Sequence, residues 1–366
     1  MANVLLAGGG TAGHVNPLLA TADTLLVQFP DAKITVLGTA TGLESQLVPD
    51  RGYPLEFVPR VPMPRTLSVD LLKLPIRMIA AVRSAHAVIR KVCPDVVVGF
   101  GGYVSTPAYL AARLARVPIV VHEQNARPGL ANVVGARLTR HVATTFAATR
   151  LPRANRVGMP LRSSIVDLAR ATDRAERASA ARARLGLNPA ATTLIVTGGS
   201  SGAQHLNEVI AASAAEILAT GAQVLHLTGA GKADAVRAAT ADLGPAYQVR
   251  EYLDEMELAY AAADLVVCRA GAVTVCELSA LGIPAIYVPL PIGNGEQQLN
   301  ASATVAAGGG LLIDNAELET EWLPTALPLL RDRDRLAAMG EAAAGTGLSG
   351  GAENLVAVIA EAGQWL

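Results

Sequence analysis

Arg269-Ala-Gly-Ala-Val-Thr-Val-Cys-Glu277 decides how this chain is read. It follows the apolar run Asp264 to Cys268, whose Leu-Val-Val core predicts a buried strand, and it precedes a helical pattern through Leu278 and Leu281. It is therefore a strand-to-helix loop. Small residues at Ala270, Gly271 and Ala272 let a ligand reach the backbone. The first helical N–H groups have no partner within the helix and point at whatever anion sits there. Glu277 is expected about one turn inside the helix, where a carboxylate can accept both hydroxyls of a ribose. An ordinary loop whose Glu complements the helix dipole fits the same residues equally well.

At 366 residues the chain predicts two domains or one large one, and 51% apolar against 17% charged residues suits a well-buried α/β protein. A net charge of -1 argues against general nucleic-acid binding. The start, Met-Ala-Asn-Val-Leu-Leu, runs straight into a strand without a signal-peptide pattern. Prolines and glycines break the uncharged stretch Leu278 to Gly295, so no transmembrane helix is expected there. Cys93, Cys268 and Cys276 have no metal-like spacing and read as buried thiols in a reducing cytoplasm.

In the first half, the strand Asn3 to Ala7 meets Gly8-Gly-Gly-Thr-Ala-Gly-His14, and a helix opens through Val15, Pro17 and Leu18. Gly8, Gly10 and Gly13 satisfy the dinucleotide-binding spacing. The second strand, Lys33 to Leu37, ends in Gly38-Thr-Ala without the acid that such a site needs for ribose, which argues against NAD. His14 sits at a helix start, where the dipole favours its neutral form, so it is a candidate base as well as a candidate cap. Phe57 to Pro94 holds seven basic residues (Arg60, Arg65, Lys73, Arg77, Arg83, Arg90, Lys91) against Asp70 alone, interleaved with more apolar residues than one core stripe needs. That suits an anionic membrane interface, although solvated basic helix faces are commoner. A second glycine loop, Gly101-Gly-Tyr-Val-Ser-Thr106, follows the strand Asp95 to Phe100 and opens a helix expected from Ala108. Ile119 to Val121 is a strand ending His122-Glu-Gln-Asn125, with Glu123 a second acid or base, or a loop-ordering group.

Val157-Gly-Met-Pro-Leu-Arg162 reads as a linker before one helix from Ile165 to Leu185. The plan then restarts with the strand Thr193 to Thr197 and the loop Gly198-Gly-Ser-Ser-Gly-Ala203. Asp95-Val-Val-Val followed by Gly102-Tyr-Val-Ser echoes Asp264-Leu-Val-Val followed by Gly271-Ala-Val-Thr, as duplication of a Rossmann-like unit would produce. Three decoys fall away. Ser200 sits in a Gly-x-Ser-x-Gly elbow, but no Asp precedes His205 or His226 in the required order. Thr228-Gly-Ala-Gly-Lys232 lacks phosphate-loop spacing. Asp332-Arg-Asp334 reads as a solvated helix start rather than a metal site. Glu251 to Met256 brings Leu253 to a strand end, and Glu296, Gln297 and Asn300 lie at helical spacing, able to read several hydroxyls. The helix Asn354 to Ala362 is expected to pack back on the body.

Together these motifs resemble the MurG family of UDP-N-acetylglucosamine transferases, from Leu5 to about Asn300 and more weakly beyond. The resemblance implies an α/β fold of two Rossmann-like domains facing across a cleft, the GT-B type of glycosyltransferase. Residues 1–158 would form the acceptor and membrane side, 159–346 the UDP-sugar domain, and 347–366 a returning helix. It implies inverting, metal-independent transfer of N-acetylglucosamine to the lipid-linked muramoyl-peptide acceptor, with no cofactor, at the cytoplasmic face of the cell membrane as a peripheral protein.

The residue roles that follow are those the family implies. Glu277 would take the ribose and Leu253 the uracil. Ser200, with the Ala272, Val273 and Thr274 backbone running on to Val275 and Cys276, would hold the diphosphate with Arg162. Gln297, Thr11, Asn125 and Asn300 would face the sugar. Gly9, Gly10, Ala12 and Gly13, with Gly101, Gly102, Tyr103, Ser105 and Thr106, would accept the acceptor's diphosphate. His14 would be the base with Glu123 behind it, and the segment around Leu67 to Arg90 the membrane contact. Ala12, Thr106, Ser201 and Met159 depart from the family's usual residues and affect fine contacts. Another UDP-sugar transferase or epimerase on the same plan, or a sensor that binds nucleotide sugar without turnover, remains compatible with the same residues.

Overall fold

The computed structural model describes residues 2–61 and 69–365, for 69–73 the backbone only. The chain divides into two compact units, Met1–Arg162 with Leu348–Leu366, and Ser163–Gly347. Among the described residues, unit one contains seven parallel strands: β1 (Asn3–Ala7), β2 (Lys33–Gly38), β3 (Leu55–Phe57), β4 (Val96–Gly99), β5 (Ile119–Glu123), β6 (His141–Thr144) and β7 (Ala154–Arg156). They lie in the order β3-β2-β1-β4-β5-β6-β7. Unit two has β8 (Thr193–Thr197), β9 (Gln223–Leu227), β10 (Tyr247–Arg250), β11 (Leu265–Cys268), β12 (Ala285–Tyr287) and β13 (Gly310–Leu312), in the order β10-β9-β8-β11-β12-β13. The second order repeats the first six strands of unit one, so the duplication read from two short motifs extends through the whole sheet.

The strands read as unbroken apolar runs because both faces are covered. Side chains alternate between those faces. Val4, Leu6, Val96 and Val98 join one core with Leu18 and Leu25 of the helix Ala12–Gln28. Leu5, Ala7 and Val97 join another with Tyr109 of the helix Ser105–Ala115. The duplicated aspartates play the same part in both units. Asp95 accepts from the Asn3 amide (2.8 Å), and Asp264 accepts from the Thr193 amide (2.7 Å). Each ties the start of its sheet's fourth strand in sequence to the start of its first.

Several expectations need correction. The helix expected from Ala108 begins at Ser105, and that expected over Ile165 to Leu185 is two, Ser163–Arg170 and Arg174–Leu185. Of the thiols expected to be buried only Cys268 is; Cys276 is half-buried, and Cys93 is exposed where it follows the helix Val69–Val92 in a left-handed conformation (φ 51°). The C-terminal helix runs Gly351–Gly363 and places Leu355, Val356 and Ile359 in the core of unit one. Asn354 Nδ2 donates to the Val157 carbonyl (3.0 Å), and Trp365 meets Phe29 edge-on at 5.5 Å. Among the described residues no helix is long and apolar enough to cross a membrane. Arg65 and Leu67, part of the expected membrane contact, lie outside the described residues.

Two imidazoles are locked inside the sheets. His122 Nε2 reaches the Gly158 carbonyl (3.1 Å) while Nδ1 faces Gln124 Nε2 (3.0 Å), so β5 holds the linker through a neutral ring. His226 lies between Tyr247 Oη (2.7 Å) and Asn207 Oδ1 (3.1 Å). Burial holds His122 down at about 4 and His226 at about 3. Unfolded, both bind protons near about 6.5, so between those values the unfolded chain carries more protons. Their stabilisation is complete above that pH and lost as pH falls through the folded values, by about 1.4 kcal/mol per pH unit for each ring. The thermal midpoint is therefore expected to drop from pH 7.5 to pH 5; a midpoint unchanged over that range contradicts the assignment.

Candidate functional site

In unit one the strand order reverses between β1 and β4, and in unit two between β8 and β11. Loops leaving the carboxyl ends of such a pair lead to helices on opposite faces, which opens a crevice where ligands bind. The loops at these two places are the four glycine-containing loops that the sequence singles out.

After β1 the chain turns through Gly8 to Thr11 into the helix Ala12–Gln28, and after β4 through Gly101 and Gly102, at φ 94° and 78°, into Ser105–Ala115. The two loops touch: a Cβ on Gly102 would stand 2.5 Å from the Gly9 carbonyl oxygen. Ser105 is buried, its hydroxyl lying 3.1 Å from the Ala7 carbonyl and 2.7 Å from that of Gly101, and accepting from the Gly101 amide at 2.9 Å. It shapes the loop and leaves no group for a ligand. Tyr103 is exposed, with the Arg60 guanidinium 4.9 Å from its ring centre. Thr106 and Ala12 are half-buried, Thr11 and Gly13 exposed.

His14 is half-buried. Its Nδ1 lies 3.1 Å from Thr11 Oγ1, and a Cβ on Gly101 would touch its Nε2 edge at 3.1 Å. Burial lowers its proton affinity below the ordinary histidine range, the Gly9 carbonyl and the Glu44 charge working the other way. It is neutral at pH 7, as a base must be.

Glu44 is the residue that sequence reading missed. It is fully buried at the start of the helix Glu44–Asp50. Its Oε2 accepts from the Gly10 amide (2.7 Å), and its Oε1 from Thr39 N and Oγ1 (both 2.8 Å). The acid looked for at the end of the second strand is present a short way downstream, but it serves the loop. Gly10 accordingly offers no free amide to a diphosphate. Gly9 must be glycine, because a side chain there would overlap the carboxylate.

Glu123, expected as a second acid or base, is buried at the end of β5 and accepts four bonds. Oε1 takes Asn125 N (2.9 Å) and Asn125 Nδ2 (3.3 Å), and Oε2 takes Gly129 N (3.0 Å) and Asn132 Nδ2 (2.9 Å). Burial raises its proton affinity and these donors lower it. A carboxylate so occupied orders the loop that carries Asn125. Asn132, also missed, bridges this group to the Tyr109 hydroxyl (2.8 Å) and the His122 carbonyl (3.1 Å).

In unit two, Ser200 is exposed in the loop after β8. Gly202 of that loop lies so close to Thr228 and Gly229 that neither glycine has room for a side chain, and Lys232 Nζ donates to the Ser201 carbonyl (2.6 Å). After β11, Gly271 leads into the helix Ala272–Leu281, which has no side-chain cap, so the amides of Ala272, Val273 and Thr274 face out of its first turn. Ala272 and Val275 are buried, Val273, Thr274 and Cys276 half-buried. Glu277 is the sixth residue of this helix, buried, its Oε2 accepting from the Tyr260 hydroxyl at 2.9 Å. Arg269 supports the neighbouring loop by donating to the Val288 and Pro289 carbonyls (both 3.1 Å). Gln297 Oε1 accepts from the Leu290 amide (2.9 Å), and buried Asn300 donates to the Ala270 carbonyl (3.2 Å), tying the loops after β11 and β12 together. Leu253 is half-buried beyond β10, and Arg162, half-buried, ends the first segment of unit one.

The decoys resolve structurally. His205 Nε2 is at the Asn315 carbonyl (3.1 Å) and His226 is enclosed, so neither serves Ser200. Asp332 caps the helix Arg333–Ala344 by accepting from Arg335 N (2.9 Å). Replacing Asn132 by Ala strips a partner from three buried groups at once. It is expected to cost roughly 3 kcal/mol or more, read as a lower thermal midpoint; a loss below about 1 kcal/mol contradicts the wiring described.

Comparison with known proteins places the chain. Residues 4–144 match the glycosyltransferase family 28 N-terminal domain and residues 193–355 its C-terminal domain. A relative from Nocardioides sp., a UDP-N-acetylglucosamine–N-acetylmuramyl-(pentapeptide) pyrophosphoryl-undecaprenol N-acetylglucosamine transferase, is 55% identical and aligns over 98% of each chain. The crystal structure of Acinetobacter baumannii MurG superposes with a TM-score of 0.78 at 28% identity, covering 99% of this chain and 100% of that one. Staphylococcus aureus MnaA, solved with UDP, shares the fold alone, at a TM-score of 0.69 and 14% identity over 100% and 98% of the two chains. By its two domain matches and its near-full-length relatives, the chain belongs to the MurG family within glycosyltransferase family 28.

Proposed function

We propose that this protein transfers N-acetylglucosamine from UDP-N-acetylglucosamine to the muramoyl sugar of the undecaprenyl-diphosphate-linked peptidoglycan precursor, inverting the anomeric carbon. The observation that carries the reading is the pairing, in unit two, of an uncapped helix N-terminus at Ala272 with a buried carboxylate, Glu277, farther along the same helix. The amides suit a diphosphate, and the carboxylate suits the two hydroxyls of a ribose. Ser200 adds a donor to the diphosphate, Leu253 lies against the uracil, and the amide end of Gln297 reads the sugar. Asn300 acts by holding the loops.

The acceptor belongs to unit one. The loop Gly101 to Thr106, whose helix begins at Ser105, takes its diphosphate. The acceptor hydroxyl attacks the anomeric carbon as the bond to the diphosphate breaks, and His14 takes the hydroxyl proton. Positive charge develops on the sugar ring and negative charge on the leaving UDP, which the helix amides stabilise without a metal. Glu123 holds Asn125 in place rather than moving a proton.

The helix Val69–Val92 supports binding at an anionic membrane surface, on the cytoplasmic face where the nucleotide sugar is made available. It exposes Ile76 (71%) and Ile79 (53%) in a segment rich in Arg and Lys. Charge gives no reason to invoke nucleic acid.

Labelled UDP-N-acetylglucosamine and a short-chain lipid acceptor test the reading. His14→Ala is expected to lower turnover by about a hundredfold or more while leaving UDP binding intact. Undiminished turnover removes His14 from the reaction, and absence of any product from the wild-type protein removes the reaction itself.

A further inference from the structure

Behind the Ser200 loop runs a line of buried polar groups that the transfer reaction above does not use. It starts at Tyr247 in β10, passes through His226 in β9 and Asn207 in the helix Gln204–Ala212, and ends on the Thr228 carbonyl just after β9. Its three steps measure 2.7 Å (Tyr247 Oη to His226 Nδ1), 3.1 Å (His226 Nε2 to Asn207 Oδ1) and 3.0 Å (Asn207 Nδ2 to the Thr228 carbonyl). All four residues are buried, and Tyr247 belongs to the apolar core of unit two. Apolar side chains of like shape could fill this space with nearly neutral effect on stability, so stability alone does not call for the line.

The line runs in one direction only. A carbonyl can only accept, so Asn207 must turn its NH2 to Thr228 and its oxygen to the ring. That oxygen requires a proton on His226 Nε2. A neutral imidazole protonated there has a bare Nδ1, to which the Tyr247 hydroxyl donates. Reversing the line would set the Asn207 oxygen against the Thr228 oxygen, two acceptors face to face. The Thr228 end is also the wall of the Ser200 loop. A Cβ on Gly202 would overlap the Thr228 carbonyl oxygen, and one on Gly229 would stand 2.5 Å from Gly202 Cα.

We propose that His226, oriented by Tyr247, is a positioning residue for the donor's diphosphate. Through Asn207 it fixes the Thr228–Gly229 wall, and through that wall the loop Gly198 to Ala203 that presents Ser200. Neither ring touches substrate. The uracil side is held separately: Thr228 N and Gly229 N donate to the Arg250 and Glu251 carbonyls (3.0 and 2.9 Å), and β10 pairs with β9 through the backbone. The proposal rests on the reading that puts the UDP diphosphate at Ser200.

The test sets His226→Gln beside His226→Leu, since the Gln amide keeps an N–H to offer Asn207 and Leu offers none. In calorimetric titration His226→Leu is expected to weaken UDP by about tenfold, and His226→Gln to restore most of that loss. KM for the lipid acceptor should stay at the wild-type value in both. Unchanged UDP affinity in His226→Leu, a Gln variant no better than the Leu variant, or an acceptor KM that rises as far as the donor's overturns the proposal. Ser200→Ala separates it from the reading beneath it. If Ser200→Ala keeps full UDP affinity, the site reading falls and the proposal with it; if Ser200→Ala weakens UDP and His226→Leu does not, only the positioning role falls. Should neither His226 variant fold, NMR of the wild-type protein labelled with nitrogen-15 histidine decides. The His226 ring, identified by the shift that Tyr247→Phe produces in its Nδ1 resonance, must carry its proton on Nε2, and that N–H resonance must move when UDP is added. A proton on Nδ1, an N–H resonance that UDP leaves in place, or no ring shifted by Tyr247→Phe also overturns the proposal.

Discussion

Two parallel strands whose crossovers leave on opposite faces of a sheet cannot cover the gap between their own carboxyl ends, and the chain has this gap once in each unit, at β1 with β4 and at β8 with β11. Everything functional depends on that constraint. Helices begin at these gaps with amides that the helix cannot satisfy, and the loops leading to them must be glycine where backbones touch, as Gly102 touches Gly9 and Gly202 touches Gly229. The sheet thereby offers two rows of oriented donors without dedicating a charged side chain to each.

The two units use this geometry in opposite electrical senses. In unit two the amides at Ala272 to Thr274 stay open to an anion, and the buried carboxylate, Glu277, stands farther inside the helix, bound to Tyr260. In unit one a carboxylate, Glu44, takes the Gly10 amide directly, and the His14 imidazole lies against Thr11 of the same loop. The proposed transfer between two diphosphate-bearing substrates would use this asymmetry. One end has to stabilise the negative charge of a leaving group, and the other has to receive a proton.

Much of this was legible in the sequence because strand runs and glycine loops are local signals. The loops at Gly8, Gly101, Gly198 and Arg269 could be placed at strand ends from apolar runs and small residues alone. The Asp95 and Asp264 echo betrayed the duplication that the strand orders complete. What escaped was set by tertiary contact. Glu44 sits in an ordinary Gly-Leu-Glu-Ser stretch, and nothing nearby says that its carboxylate folds under Gly9 and Gly10. Asn132 lies in an apolar helix, where an amide usually faces water, and only the proximity of Tyr109 and Glu123 gives it a use. The dinucleotide fingerprint failed for an informative reason: the acid belonging to the second strand exists, but it is turned inward to the loop. Helix starts were misplaced near Ser105 because its hydroxyl caps the loop from inside the helix, which spacing alone does not reveal.

The central claim is that backbone amides and fixed side chains, not a bound cation, hold the nucleotide diphosphate. Calorimetric titration of the protein with UDP, in chelator and then with added magnesium, tests it most directly. Saturable binding of the same affinity in both conditions is the predicted result. Binding that is lost in chelator and restored by magnesium would contradict it.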